Sequence, residues 1–299
     1  MGRDVLPVNP SLTRLQHTPM LPELRQCLAD CSAQDAPFLE RASFAERLFL
    51  PLATALDAEA APAVLPLATA WGMFVAAALR LDRFQDHDGQ AADMPAGESS
   101  TTQYHIVLTY YVLATAFLDD LDPAVFGYER LLLLRRFWTD CTLRIASGQY
   151  RDLLANGQHL DHNLAVLDQY QEVAQAKTGA FYGLAFGATA VVMTGNQAIV
   201  HALTHAGEIY GTLLQFIDDL DDEAIQTNSL FTLPRVFREA SDVANVAHFP
   251  LSPHAFWRHV YPTYRAAAEE VLAALPVQVS AAIFSIFHDT FGSHTHAHS

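Results

Sequence analysis

The sequence predicts an all-α chain, one bundle of about ten helices around a central apolar cavity. Three observations predict it. Apolar stretches run longer than strands usually do. Helix formers (Ala, Leu, Glu, Gln and Arg) dominate, and few β-branched runs alternate with polar residues. Hydrophobic residues make up 51% of the 299 positions and charged residues only 17%, which is enough apolar side chain to fill a large buried core.

The elements follow in order. Residues 1–22 contain Pro7, Pro10, Pro19 and Pro22 and read as a loose arm. Helices are expected over 23–31 and 42–57. The stretch from Ala60 to Leu81 is almost free of charge and long enough to suggest a membrane span. Pro62 and Pro66 interrupt its start, however, and it runs straight into Asp82, Arg83, Asp86 and Asp88. It therefore reads as a buried central helix over 63–87, with no stable membrane insertion. Residues 88–100 are small and polar, hence a loop. An apolar helix over 101–118 ends at Asp119-Asp120-Leu121-Asp122, a solvent-facing exit because Pro123 follows at once. A long helix is expected over 124–156. Residues 163–194 are helical and Gly-rich, which implies close packing. A helix over 198–226 carries a second acidic cluster. Residues 227–253 are mixed, with a turn at Phe249-Pro250, and helices over 254–275 and 277–291 close the domain. The tail 292–299, with His294, His296 and His298, reads as disordered. With no repeat and no convincing linker, 23–291 is expected to be a single domain.

Composition excludes some functions. A net charge of −16 and a pI of about 5.1 argue against nucleic acid or an anionic membrane as partner, because both need basic patches. An acidic protein that binds a phosphorylated ligand must concentrate positive charge locally, commonly through metal ions. Cys27, Cys31 and Cys141 are too few for a disulfide framework and lack the neighbours of a zinc set, which fits structural thiols in a reducing cytosol. Met1-Gly2-Arg3-Asp4 shows no secretory pattern, and a cytoplasmic location is expected.

Two segments carry the chemistry. The first is Leu81-Asp82-Arg83-Phe84-Gln85-Asp86-His87-Asp88, and the second Gln215-Phe216-Ile217-Asp218-Asp219-Leu220-Asp221-Asp222. Asp82 and Asp86 are four residues apart, as are Asp218 and Asp222, so each pair shares a helix face. Like charges at that spacing destabilise a helix by a few tenths of a kcal/mol. Burying them unpaired costs several kcal/mol more. A hard divalent cation removes the conflict: Mg²⁺ takes oxygen ligands at about 2.0–2.1 Å and uses one or two carboxylates plus substrate phosphates. One such cluster would more often mark a solvated helix end. Two, each closing a long apolar run, point to facing walls that hold Mg²⁺ and a diphosphate. Lys177, the only lysine in the chain, enters an apolar Gly-rich helix at Gln175-Ala176-Lys177-Thr178-Gly179. It reads either as a snorkelling side chain or as a point charge for phosphate.

These residues resemble the polyprenyl (trans-isoprenyl) diphosphate synthase family, within the class I isoprenoid synthase superfamily. Gly211-Thr212-Leu213-Leu214-Gln215 followed by Phe216-Ile217-Asp218-Asp219-Leu220-Asp221-Asp222 is similar to its second aspartate-rich motif. Asp82 to Asp86 resembles the first motif, with Arg83 in place of the second aspartate. Lys177-Thr178, Gly148-Gln149 and Thr232-Leu233-Pro234 are similar to the family's KT, GQ and TLP segments, and these anchors in family order span about half the chain. The resemblance implies the all-α isoprenoid synthase fold, a homodimer, and about three Mg²⁺ ions when diphosphate is bound. It implies Asp82, Asp86, Asp218, Asp219 and Asp222 as metal ligands. Asp82, Asp86, Asp218 and Lys177 would be catalytic, and Lys177, Thr178, Gln215, Phe84 and Phe181 would contact substrate, an allylic prenyl diphosphate. The reaction implied is ionisation of that diphosphate followed by prenyl transfer to an acceptor. Phe84, Phe181, Tyr182 and Phe216 could stabilise a cation through their ring faces, though each reads equally as core. Small residues at Ala77 and Ala78, one turn before Asp82, imply a deep pocket for a farnesyl-length or longer tail.

The sequence also departs from the pattern. Of the basic segment expected near 45–51 only Arg47 is kept; Gly89-Gln90-Ala91-Ala92 stands where two arginines and a glycine are expected; and Leu230 replaces a lysine. In the family those groups mostly serve isopentenyl diphosphate. Two alternatives follow: a terpene synthase that cyclises or eliminates, and a non-catalytic partner of an active synthase. The usual second motif of terpene cyclases is not met, since Asp218, Asp222 and Gln226 occupy its spacing. Retention of the acidic pairs and Lys177 speaks against a scaffold. His87-Asp88 and His288-Asp289 would suit a histidine-ligated phosphohydrolase less well than the carboxylate pairs suit Mg²⁺.

Overall fold

Helix is the only regular structure among the described residues of the computed structural model, which are 22–26, 28, 45–86, 100–156, 165–221, 231–240 and 252–296. The packing divides the chain into two compact units: Met1–Leu50 with Pro62–Asp122, and Pro51–Ala61 with Pro123–Ser299. Neither the Asp122-Pro123 boundary nor the crossings near 50 and 61 have the composition of a linker, which is why the sequence alone predicts one domain. Helix α1 (Leu50–Leu56) follows a π turn over Ala45–Phe49, so the helix expected over 42–57 changes pitch part-way.

The first unit is built on α2 (Leu65–Asp86) and α3 (Ser100–Phe117). Pro66 falls in the first turn of α2, where its missing N–H costs nothing. Leu67, Ala70, Trp71, Phe74 and Ala77 of α2 are buried, and α2 packs along α3. Phe74 meets Tyr111 edge-on at 5.7 Å, and Trp71 meets Phe49 at 5.8 Å. Among the described residues α2 is the one helix long and apolar enough to cross a membrane, and more than half of that stretch is buried. Near its C-terminal end, the Arg80 guanidinium lies 5.9 Å from the centre of the Tyr110 ring. The exit after α3 is a 3₁₀ turn, Leu118–Asp120, with Asp119, Asp120 and Asp122 exposed as expected.

The second unit holds α4 (Pro123–Phe126), α5 (Tyr128–Ala155), α6 (Ala165–Ala174), α7 (Ala180–Thr194), α8 (Gln197–Asp221), α9 (Leu233–Ala240), α10 (Pro253–Leu272) and α11 (Val277–His296). The helix expected over 124–156 is two helices, because Gly127 takes φ +78° between them. Helix α7 is hydrophobic all round and almost wholly buried; α8 packs along one side of it and α5 along another. It ends where Gly195 adopts φ +64° and returns its N–H to Ala190 and Val191. The Arg130 guanidinium of α5 donates to the last carbonyls of α7, Val192 (3.2 Å) and Met193 (3.0 Å). Helix α10 starts at Ser252, whose Oγ accepts the Ala255 N–H at 3.1 Å, with Pro253 in the first position. Helix α11 continues to His296, so the tail expected from 292 is helical that far. The turn expected at Phe249-Pro250 lies outside the described residues, as do Cys27 and Cys31.

Candidate functional site

Helices α6 and α7 are joined by a π turn over Gln175–Gly179, so 165–194 is one continuous rod with a single wide turn. Such turns often occur at functional sites. Here the wide turn lets two consecutive residues address two different helices. Lys177 reaches α5, where its Nζ lies 2.8 Å from Asp152 Oδ2. Thr178 reaches α8, where its hydroxyl donates to Gln215 Oε1 at 2.5 Å.

Glycines let both helices lie directly on the turn. A Cβ at Gly148 would sit 2.5–2.6 Å from the Ala176 carbonyl and the Lys177 nitrogen. A Cβ at Gly211 would collide with the Thr178 carbonyl oxygen. The Gly148-Gln149 and Lys177-Thr178 pairs read from the sequence are thus two halves of one contact. The ammonium and the carboxylate are both mostly shielded, with side-chain exposures of 23% for Lys177 and 12% for Asp152, so their pairing is stronger than a surface ion pair.

From Thr178 a hydrogen-bonded chain runs to the acidic end of α8. Gln215 donates its Nε2 to Asp219 Oδ1 at 2.8 Å. The other oxygen of Asp219 accepts twice: from the Tyr170 hydroxyl of α6 at 2.6 Å and from the Leu233 N–H opening α9 at 2.7 Å. Burial pushes the Asp219 carboxyl up to about 6, against the hydrogen bonds from Tyr170, Leu233 and Gln215 and the charge of Lys177, which hold it down. Burial, and secondarily the charge of Asp219, push Tyr170 well above its ordinary value, so it remains a donor. The Leu233 bond gives Thr232-Leu233-Pro234 its role: the segment anchors its backbone to the acidic motif. Two residues earlier the Phe231 N–H donates to Asn156 Oδ1 at 2.6 Å, past the end of α5.

Among the predicted site residues, Lys177, Thr178, Gln215 and Asp219 come together in the second unit, and Asp218 stands exposed on the same last turns of α8. Both oxygens of Asp219 accept from protein donors in a buried place, whereas Asp218 beside it is exposed. Asp82, Phe84 and Asp86 lie on the last two turns of α2 in the first unit. There Asp82 and Phe84 are half-buried, and the Phe84 ring meets Tyr104 edge-on at 4.7 Å. Asp222 and the side chain of Asp86 lie outside the described residues, among which no three His, Cys, Asp or Glu side chains gather as a metal cluster. Phe181 is half-buried on α7. Phe216 is wholly buried, stacked on Tyr170 at 5.7 Å and edge-on to Phe256 at 5.2 Å, so it is core.

Sequence reasoning missed Asp152, Tyr170 and Asn156. Asp152 was within reach, since it follows Gly148 by four residues and shares its helix face. Tyr170 lies seven before Lys177, two turns along a rod whose pitch change the sequence does not announce.

Curated protein sequences offer no match. Among solved structures, the chain is similar to a geranylgeranyl pyrophosphate synthetase from the archaeon Geoglobus acetivorans, with TM-score 0.68, 17% identity, and 94% of this chain and 95% of that one covered. It is similar to the farnesyl diphosphate synthase of T. brucei, with TM-score 0.67, 16% identity and 94% of each chain covered. It is also similar to a decaprenyl diphosphate synthase from Rhodobacter capsulatus, with TM-score 0.64, 17% identity, and 93% and 94% covered. Those likenesses establish the all-α isoprenoid synthase fold. Residues 53–230, more than half of the sequence, match the polyprenyl synthetase family model, and the chain belongs to that family of prenyl-transferring enzymes.

Proposed function

We propose that this chain ionises an allylic prenyl diphosphate with the help of Mg²⁺ and passes the prenyl group to an acceptor. One observation carries the reading: Lys177 and Thr178 are fixed by Asp152 and Gln215, and a hydrogen-bonded chain links them to the acidic end of α8. A cation, a hydroxyl and carboxylates thus converge where a diphosphate would need them.

The donor set fits a hard cation, because every candidate ligand is a carboxylate and Asp218 is exposed. As the family resemblance implies, Asp82, Asp86, Asp218 and Asp222 would hold Mg²⁺, while Asp219 positions Asp218. When bound, the ions supply electrostatic stabilisation of the leaving diphosphate.

The chain's own groups do the rest. Lys177 places a point charge on the diphosphate, and Asp152 aims it. The allylic C–O bond breaks and its electron pair leaves with the diphosphate. The acceptor's double bond attacks the cation, and the new cation sheds a proton. Tyr182 and Tyr210, whose rings lie 4.9 Å apart, belong to an aromatic cluster whose faces can stabilise positive charge. The small Ala77 and Ala78 favour a farnesyl-length or longer tail.

A specific observation favours a second reading, cyclisation or elimination without an acceptor. Arg47 alone remains of the first basic segment, and its side chain is exposed. The purified protein should be incubated with Mg²⁺ and geranyl, farnesyl or geranylgeranyl diphosphate, with and without isopentenyl diphosphate, and the products identified by mass spectrometry. Elongated diphosphates that appear only with isopentenyl diphosphate support transfer; hydrocarbons or alcohols formed without it support the second reading. No diphosphate release under any condition would leave only the role of a partner subunit. Asp82→Ala and Asp218→Ala should each abolish turnover, and a near-normal rate in either would remove that residue from the site. A cytoplasmic homodimer is part of this proposal.

A further inference from the structure

We infer that Tyr170 is a positioning residue that sets the acidic end of α8 through Asp219, and that Asp219 is a positioning residue and not a metal ligand. The inference rests on the proposed diphosphate chemistry and deepens it. Tyr170 sits on α6, before the π turn, and contacts both the acidic end of α8 and the segment that leads into α9. Its hydroxyl donates to Asp219 Oδ2 at 2.6 Å. Its ring stacks on Phe216 of α8 at 5.7 Å with planes 28° apart, and meets Phe231 edge-on at 5.8 Å, just before the segment that opens α9. The same carboxylate oxygen takes the Leu233 N–H, and its partner oxygen takes Gln215, itself held by Thr178.

Asp219 therefore has three protein donors from three places: α6, α8 and the start of α9. A carboxylate so held cannot turn without breaking one of them. It fixes the rotation of the last turns of α8 about the helix axis. Asp218 precedes Asp219 in the chain, so that rotation decides where its exposed carboxylate points. Without the Tyr170 hydroxyl, Oδ2 keeps only the Leu233 N–H. The buried carboxylate then gains freedom, and Asp218 shares it. Groups that orient metal ligands without touching the metal typically change affinity or activity by about 10–100-fold.

The test uses Tyr170→Phe, which keeps the ring, Asp219→Asn, which keeps the shape, and the double variant. Diphosphate release is measured against prenyl diphosphate and against Mg²⁺, beside thermal unfolding. Calorimetric binding of Mg²⁺ with inorganic pyrophosphate gives a readout independent of turnover. The expected result for each single variant is a kcat lower by about tenfold or more and a higher Mg²⁺ requirement, with KM for the prenyl diphosphate changed little. The double variant should be no worse than the poorer single one, because both act through one carboxylate. Tyr170→Leu should lose thermal stability as well, which separates hydroxyl from packing. A Tyr170→Phe protein with unchanged kcat and Mg²⁺ requirement overturns the inference, as does a lowered melting temperature with no change in either. Asp219→Asn abolishing pyrophosphate binding while Tyr170→Phe leaves it intact would make Asp219 a ligand and equally overturn it. Failure of the wild type to release diphosphate from any allylic substrate counts against the proposed reaction; the calorimetric comparison then still decides the positioning role, and absence of pyrophosphate binding by the wild type overturns both.

Discussion

Lys177 meets Asp152 at 2.8 Å in a mostly shielded place, and in the proposed reaction that pair would hold the ammonium ready for the diphosphate. A guanidinium is no equivalent replacement, because it is larger and planar and would tend to pair with both oxygens of Asp152 where the ammonium meets one and acts as a point charge. Lys177→Arg is therefore expected to keep the fold and lose roughly 10²-fold in turnover, a loss of the size seen when a preorganised donor is removed. Steady-state kinetics with circular dichroism checks it, and near-normal turnover would refute the role. Cys141 gives a prediction in pH. Burial pushes its thiol from 9.0 up to about 12. Its thiol contributes equally to both states below pH 9. Between pH 9 and 12 the unfolded chain loses that proton while the folded chain keeps it, so stability falls as pH rises through that window. In a Cys27→Ser/Cys31→Ser background, iodoacetamide at pH 8 should leave the folded protein unmodified and label it once in guanidinium. At this scale the sequence disclosed the residues with distinctive neighbours: the lone lysine, the paired acids, Gln215. It did not disclose Tyr170, which looks like any core aromatic, or the difference in burial between Asp218 and Asp219. Adjacent aspartates read alike until burial and donors tell them apart.

The π turn is the element on which the site is assembled, and α5 and α8 both press on its backbone. Gly148→Ala would drive a methyl group into the Ala176 carbonyl and the Lys177 nitrogen, which are backbone atoms and yield little. Overpacking of that sort costs about 1–3 kcal/mol. The variant should melt earlier and, because the displaced atoms carry Lys177, lose activity beyond what its lowered stability explains. Unchanged kcat well below the melting temperature would show the contact to be packing alone. Most helices were legible from the length of their apolar runs; α2 and α8 stand within a few residues of expectation. Pitch changes were not. Gln175–Gly179 has ordinary helix-compatible composition, and nothing in it marks the wide turn. The break at Gly127 was equally hidden, since a glycine inside a helical pattern can also be tolerated.

For the whole molecule, the fold has outlasted the sequence: the solved relatives described above share 16–17% of residues with this chain. Fold class was legible because helical apolar runs are a property of the whole chain. The division into two units was not, since it depends on which faces meet. The proposed homodimer is argued at this scale. Tyr104, Leu108 and Val112 form one stripe on α3, spaced by four residues and each more than half exposed. On α5, Leu132, Leu143, Tyr150 and Leu154 are exposed as well. An exposed apolar stripe such as that on α3 suits an interaction face, and closed twofold assembly is the commonest way to cover one. Light scattering after gel filtration should give twice the 32.9 kDa chain mass, and Leu108→Glu with Val112→Glu should shift it toward the monomer. A monomeric wild type would remove the dimer from the proposal.

The solitary lysine has a practical corollary. Apart from the amino terminus, the protein has a single primary amine, and it stands where the diphosphate is proposed to bind. Reductive methylation with isotopically labelled formaldehyde would add one side-chain reporter, whose resonance follows the Asp152 contact directly. Acylating reagents become footprints: occupancy by pyrophosphate should slow modification at one position and leave the terminus untouched. The same scarcity means that a lysine-specific protease has one place to cut, Lys177-Thr178, and resistance to it would measure how firmly the rod from 165 to 194 stays wound.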